Sequence, residues 1–218
     1  MKLSKTKLFI FTALISTQIN SEALAKENFY GVEGNLYVGV DYLSSRVEHT
    51  YNNNGTGYVS PDGGRSENDN SGIGLNTGYK FKKNNIFISP EIFYEKLSAK
   101  TKDFHRNNLF NGDNSLKIND RYGARFALGY DLSEKFSTFV SYGVARTQSE
   151  ITFVNVNSQH RDRHNSSVYG LGASYNINKN LSAKVSYDQQ WLKINYDTYG
   201  EKDRIKIKTF KIGLVYNF

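Results

Sequence analysis

The chain of 218 residues contains no cysteine, only two prolines and one tryptophan. The absence of cysteine excludes a disulfide scaffold, a zinc site with thiolate ligands and a thiol nucleophile. No apolar stretch reaches the roughly eighteen residues that a membrane helix needs, and the mean hydropathy is −0.59, which excludes a polytopic helical membrane protein. Tyrosine, phenylalanine and glycine are abundant instead, with 16, 14 and 18 copies. A composition rich in aromatics and poor in proline favours strands.

Residues 1–25 have the three regions of a secretory signal peptide in order. Three lysines lie within residues 1–7, an apolar stretch covers residues 8–15, and Ala23-Leu24-Ala25 matches a cleavage site. The apolar stretch is too short to span a bilayer, so a membrane anchor or a buried helix is the weaker interpretation. We therefore expect cleavage after residue 25 and one mature domain over residues 26–218.

The mature chain alternates between apolar and polar residues with a period of two. From Tyr30 to Tyr42 every second residue is apolar or glycine, and the residues between them are mostly polar or small. Such alternation is typical of a strand with two different faces. Seven further segments share the pattern, at residues 73–81, 86–94, 122–130, 136–144, 169–177, 181–191 and 210–218.

The connections between these segments alternate between short and long. Three are tight turns, at residues 82–85, 133–135 and 178–180; four are longer and polar, at residues 45–71, 101–119, 149–166 and 193–204. This rhythm predicts an all-β fold, an eight-stranded antiparallel up-and-down transmembrane β-barrel with short periplasmic turns and four long extracellular loops.

A soluble β-sandwich or a lipocalin-like barrel would also alternate. Aromatic residues at the ends of the apolar faces favour the membrane barrel, because interfacial girdles lie there. The last strand ends on Phe218 and resembles the assembly signal of outer-membrane barrels. The expected partners are therefore outer-membrane lipid and the barrel-assembly machinery, the latter through that strand.

The predicted inner face carries charges of both signs. An eight-stranded barrel leaves room only for side chains, so these charges must neutralise one another. Glu91 with Arg125, and Glu95 with Arg121, have the same sum of residue numbers, as facing residues of an antiparallel pair do. We predict both ion pairs and place Glu33 and Lys211 in the same lumen network. The near balance of six acids and five bases indicates a paired plug rather than an ion-selective channel; the set is Glu33, Asp41, Glu91, Glu95, Asp131, Asp188, Lys80, Arg121, Arg125, Lys184 and Lys211.

The predicted loops contain all four histidines but no recognisable catalytic motif. His160 and His164 would suit a metal only on a helix, and the segment is a polar connection, so we expect no metal, cofactor or catalytic residue. The four loops together carry almost no net charge, which argues against a nucleic-acid partner. Aromatic, arginine and histidine side chains among adaptable polar residues suit protein recognition. The candidate binding residues are Tyr51, Tyr58, Phe104, His105, Arg106, Phe110, Phe153, His160, Arg161, Arg163, Tyr196 and Tyr199.

With the strands, the loops and Phe218, the mature chain resembles the small eight-stranded barrels of the OmpX/Ail/Opa adhesion type and the membrane domain of OmpA. Its Asn/Lys/Tyr-rich composition and its length look closest to the Adr-type surface adhesins of rickettsial bacteria. The resemblance implies a bacterial outer-membrane location with loops at the cell surface. It also implies binding of host-cell, serum or matrix proteins such as vitronectin, and a part in serum resistance and host invasion. The alternatives are a structural or narrow-pore barrel without a dedicated ligand, and, more weakly, a lipid-modifying enzyme.

Overall fold

Each predicted strand is present, and the eight strands close into one antiparallel barrel in chain order, with the last strand paired to the first. The structure, a computed structural model, describes residues 32–50, 66–101, 115–153, 158–196 and 201–218. The strands are β1 Glu33–Thr50, β2 Ser66–Lys83, β3 Ile86–Thr101, β4 Ser115–Asp131, β5 Phe136–Phe153, β6 Ser158–Asn176, β7 Leu181–Tyr196 and β8 Glu201–Asn217. The predicted fold class is confirmed. The predicted signal peptide lies outside the described residues. None of the described residues belongs to a helix long and apolar enough to cross a membrane.

The strands are longer than the alternation predicted, and they enter all four segments that were assigned to loops. Strands β5 and β6 stay paired up to Phe153 and Ser158, and β7 and β8 up to Tyr196 and Glu201. The third and fourth connections therefore span only residues 154–157 and 197–200. Much of these two segments is therefore paired strand, because a ladder beyond the bilayer can carry polar residues on both faces and lose its apolar alternation.

The outward face is apolar, as the alternation predicted. Ile73 is 64% exposed and Phe126 63% exposed, which suits contact with lipid rather than with water. Aromatic rings border this apolar band at both ends. The loop-end girdle consists of Tyr42, Tyr94, Tyr122, Tyr142, Tyr169, Trp191 and Phe210, and the turn-end girdle of Tyr79, Phe81, Tyr130, Phe136, Tyr175, Tyr216 and Phe218.

Two irregularities interrupt the ladders on the loop side of the loop-end girdle. The β3–β4 register shifts between Lys96 and Ala99, where Ser98 has a positive φ of 49°. The β4–β5 register shifts between Ile118 and Arg121. Bulges of this kind redirect side chains. On β4 the inward-facing set changes from Leu116 and Ile118 to Arg121 and Arg125, whereas Leu97 and Ala99 continue the inward face of β3.

Candidate functional site

The barrel interior is the first place where a function could reside, and its middle is filled by ion pairs. The β3–β4 register places Glu91 opposite Arg125 and Glu95 opposite Arg121. Arg125 Nε donates to Glu91 Oε1 over 2.6 Å, and Arg121 Nε donates to Glu95 Oε2 over 2.7 Å. Both predicted Glu–Arg pairs are therefore present.

Side chains from the opposite wall complete this network. Asp188 on β7 accepts from Arg125 Nη1 over 3.0 Å, and Lys211 on β8 contacts both Asp188 and Glu95. The Phe93 ring lies against the charges, with its centroid 4.9 Å from the Arg125 guanidinium carbon. Lys184 Nζ lies 4.0 Å from Glu91 Oε2 and 3.5 Å from Asp41 Oδ2. The lumen network thus joins four acids and four bases and includes Lys211 as predicted; its members are Asp41, Glu91, Glu95, Asp188, Arg121, Arg125, Lys184 and Lys211.

Placing Glu33 in this network was wrong. Glu33 is exposed at the start of β1, opposite Lys82 at the turn end of the barrel. A second, smaller ion-pair group occupies that end, where Lys82 Nζ lies 2.5 Å from Asp131 Oδ2. Alternation predicts which face a side chain takes but not its height along the barrel, and Glu33 is too low to reach Lys211.

An apolar layer lies inside the barrel on the loop side of the network, outside the segments predicted as strands. Its nine side chains are at most 1% exposed and come from five strands: Leu43, Val47, Leu97, Ala99, Leu116, Ile118, Leu192, Ile205 and Ile207. Alternate apolar residues that continue past the predicted strand ends, as in Leu116 and Ile118 or Ile205 and Ile207, were the available signal.

Polar contacts accompany the apolar layer. Gln190 Nε2 donates to Thr147 Oγ1 over 2.9 Å and to Ser166 Oγ over 2.8 Å. Ser45 donates to Thr209 over 3.2 Å. With the network below and the apolar layer beside them, side chains fill the barrel interior at this height. A cavity of about 100 Å³ remains on the turn side of the network, lined by Tyr37, Lys80 and Glu91 among others.

The second possible location of a function is the part of the strands beyond the loop-end girdle, such as residues 149–153 of β5 and 158–163 of β6, which we call the extracellular extension. Arg161 and Arg163 are exposed on β6, and Arg161 Nε donates to Glu150 Oε2 on β5 over 2.8 Å. Phe153, His160 and Tyr196 lie on β5, β6 and β7 respectively. The other candidate binding residues lie outside the described residues: Tyr51, Tyr58, Phe104, His105, Arg106, Phe110 and Tyr199.

The histidines at 160 and 164 lie on a strand, so their backbones are roughly 13 Å apart and do not form a helical metal site. Among the described residues no group of three or more His, Asp or Glu side chains could hold a metal ion. His164 Nε2 lies 3.0 Å from Ser149 Oγ and 3.6 Å from Asp162 Oδ2. A hydrolase triad needs serine and aspartate on different ring nitrogens, so this trio lacks that geometry. Burial lowers the pKa of His164, against the opposing effect of Asp162.

Known proteins share this architecture. The chain is similar to the attachment invasion locus protein Ail of Yersinia pestis, solved with the heparin analogue sucrose octasulfate: 18% identity, 85% of this chain and 99% of that chain covered, and a TM-score of 0.51. It is similar to Neisserial surface protein A, with 12% identity, 84% and 97% coverage and a TM-score of 0.50. At sequence identities this low, the similarity shows a shared fold and nothing further. No curated protein matches the sequence.

A family comparison covers nearly the whole chain. The family model of the outer membrane protein beta-barrel domain matches residues 9–218. Its match agrees with the closed eight-stranded barrel and its lipid-facing apolar band. The chain therefore belongs to the outer membrane protein beta-barrel family and is a protein of the bacterial outer membrane.

Proposed function

We propose that this protein is a surface adhesin of the Adr type, which binds host-cell, serum or matrix proteins through its extracellular part and performs no catalysis. The observation that carries the proposal is the filled lumen. Ion pairs and an apolar layer occupy the space through which a channel would pass. Function is therefore assigned to the surface that faces away from the cell.

The extracellular extension supports this assignment. Strands β5 and β6 form a paired ladder up to the connection at residues 154–157, so they present side chains on a rigid support. Little ordering entropy is then lost when a partner binds there. Arg161 and Arg163 are exposed on this ladder, and arginine is enriched among residues that dominate protein interfaces.

The partner class follows from that chemistry and from the resemblance to adhesins. A serum or matrix protein such as vitronectin would meet arginines together with the tyrosine and phenylalanine side chains of the predicted loops. The Ail structure contains a heparin analogue. A sulfated glycan is therefore the competing ligand class that the experiment must distinguish, since it would use the same arginines without the aromatic residues.

The test is to display the protein on a non-adherent bacterium and to measure host-cell adherence and capture of purified vitronectin. Deletions within residues 51–65 and 102–114 are compared with Arg161→Gln/Arg163→Gln. The matched control is Lys135→Gln/Lys179→Gln, which removes the same charge at exposed turn residues. We expect capture to fall with one extracellular change and to persist in the control.

If added heparin abolishes binding and the loop deletions do not, the ligand is a sulfated glycan instead. Absence of any binding by the intact, surface-exposed barrel would reject the adhesin. The pore alternative is then decided by planar-bilayer recordings, where steady single-channel current from the folded barrel would support it and silence would leave a structural role.

A further inference from the structure

The cavity on the turn side of the lumen network, which we call the turn-end cavity, joins buried charges to the solvent at that end of the barrel. Its volume of about 100 Å³ is enough for several groups of the size of water. Glu91, Arg125 and Lys184 of the lumen network line its inner end and are buried. Asn176 and Asn217, the last residues of β6 and β8, line its outer end and are half-buried. A small solute from the turn side can therefore reach the network.

Two lysines that line this cavity have only distant acidic partners. Lys184 Nζ lies 3.5 Å from Asp41 Oδ2 and 4.0 Å from Glu91 Oε2, and Lys80 Nζ lies 3.7 Å from Asp131 Oδ1. These distances exceed the roughly 2.7–2.9 Å of a charge-assisted hydrogen bond. An ammonium group has three N–H donors, so both lysines keep donors for a further acceptor.

The carboxylate oxygens nearest to the two lysines already accept hydrogen bonds from other side chains. These bonds run from Asn76 Nδ2 to Asp41 Oδ2 over 2.7 Å, from the Tyr37 hydroxyl to Glu91 Oε2 over 3.0 Å, and from Ser137 Oγ to Asp131 Oδ1 over 2.7 Å. The acids are thus held in place by these donors, so the closer acceptor for the lysines must come from the cavity itself.

The charges around the turn-end cavity leave one positive charge in excess. The lumen network has as many acids as bases, whereas the ion-pair group at the turn end has two bases, Lys80 and Lys82, and one acid, Asp131. Glu33 faces Lys82 across β1 and β2, but it is exposed, and within the described residues no ion pair joins the two side chains. Because a buried charge without a partner is costly, a single monovalent anion would restore the balance.

We propose that the turn-end cavity binds a small monovalent anion, such as chloride, between the ammonium groups of Lys80 and Lys184. Both lysines donate charge-assisted hydrogen bonds to it. The ring of Phe87 lies against Lys80, with its centroid 3.9 Å from Nζ, and covers one side of the site. The anion neutralises the lumen on the turn side and stabilises the closed barrel. This site is independent of the adhesin proposal, because it lies at the opposite end of the molecule.

The first test is crystallographic and uses the folded, full-chain protein. Crystals are grown in sodium bromide, because bromide replaces chloride in such sites and is located by its anomalous scattering. We expect an anomalous peak inside the turn-end cavity, in contact with Nζ of both Lys80 and Lys184. Bromide at exposed residues alone, which is an adventitious ion only, would overturn the proposal.

The second test is urea unfolding of the full-chain protein in detergent at constant ionic strength, with chloride replaced stepwise by gluconate, which is too large for the cavity. Above the dissociation constant, the ratio of folded to unfolded wild type should rise about tenfold for each tenfold rise in chloride. Lys80→Gln should lose this dependence. The matched control Lys83→Gln, which makes the same charge change at an exposed residue beside the turn, should retain it. Equal dependence in the two variants, or none in the wild type, would contradict the site.

A third variant preserves every charge and decides the question if Lys80→Gln does not fold. Ala127 lines the turn-end cavity, so Ala127→Val places additional methyl groups in the space that the anion needs. We expect Ala127→Val to lose both the bromide peak and the chloride dependence of unfolding. If it keeps both, the anion does not bind in this cavity.

Discussion

The lumen and the extracellular extension of the barrel are built from the same strands but follow different rules. In the lumen, charged side chains such as Arg121 and Lys211 are fully buried and engage several oppositely charged partners. On the extension, charged side chains such as Arg161 are exposed and make one partner contact or none among the described residues. The comparison teaches that barrel closure constrains the residues of the lumen, because each buried charge needs a partner, whereas it places no such constraint on exposed residues of the extension.

The largest expected effect is the loss of one lumen charge. Arg121→Ala leaves Glu95 and Asp188 buried with reduced compensation, so we expect a loss of about 3–5 kcal/mol in unfolding free energy. Urea unfolding followed by Trp191 fluorescence in vesicles measures it. Arg163→Ala on the extension is the control and should cost less than about 1 kcal/mol. Equal losses would break the distinction between the two regions.

A somewhat smaller effect is expected in the apolar layer. Leu192→Ala removes methyl groups from a fully buried position that cannot collapse between rigid strands, so about 2–4 kcal/mol should be lost. The same unfolding assay applies, with the lipid-facing Leu214→Ala as a control of identical chemistry on the outer wall. Conductance recordings of Leu192→Ala are expected to stay silent, because the lumen network still fills the barrel.

The cross-strand pair on the extension should contribute much less. Arg161 and Glu150 form one exposed hydrogen-bonded pair, and a double-mutant cycle with Arg161→Gln and Glu150→Gln should give a coupling of about 0.2–1 kcal/mol that salt weakens. A coupling comparable to that of Arg125 with Glu91 in the same assay would show that the extension obeys the rules of the lumen.

The smallest effect is a pH dependence from His164. Burial lowers its pKa below the usual value, so the unfolded chain takes up a proton before the folded one does. Stability therefore falls as the pH drops from above about 6.5 towards the lowered pKa, by less than about 1 kcal/mol. His164→Gln should remove this slope between pH 7 and pH 5, and an unchanged slope would assign it to other groups.

Residue periodicity was enough to predict the strands within the bilayer, because lipid on one side and a packed lumen on the other force every second residue to be apolar. The register of β3 against β4 could be predicted because two pairs of opposite charge have the same sum of residue numbers, Glu91 with Arg125 and Glu95 with Arg121. The strand ends could not be predicted beyond the loop-end girdle, because lipid no longer imposes alternation there, and β5 to β8 continue into segments that were assigned to loops.

The sequence by itself determined which residues face lipid, which face inward and that the strands form an antiparallel barrel, because these depend on the period of two and on turn chemistry. Only the tertiary structure decided which inward residues meet across the lumen. Asp188 and Lys211 join Glu95 from strands far apart in the chain, and Glu33 does not join them, because strand tilt and stagger set the height of each side chain. These heights are fixed only when β8 pairs with β1, because closure of the barrel sets the tilt and stagger of all eight strands together.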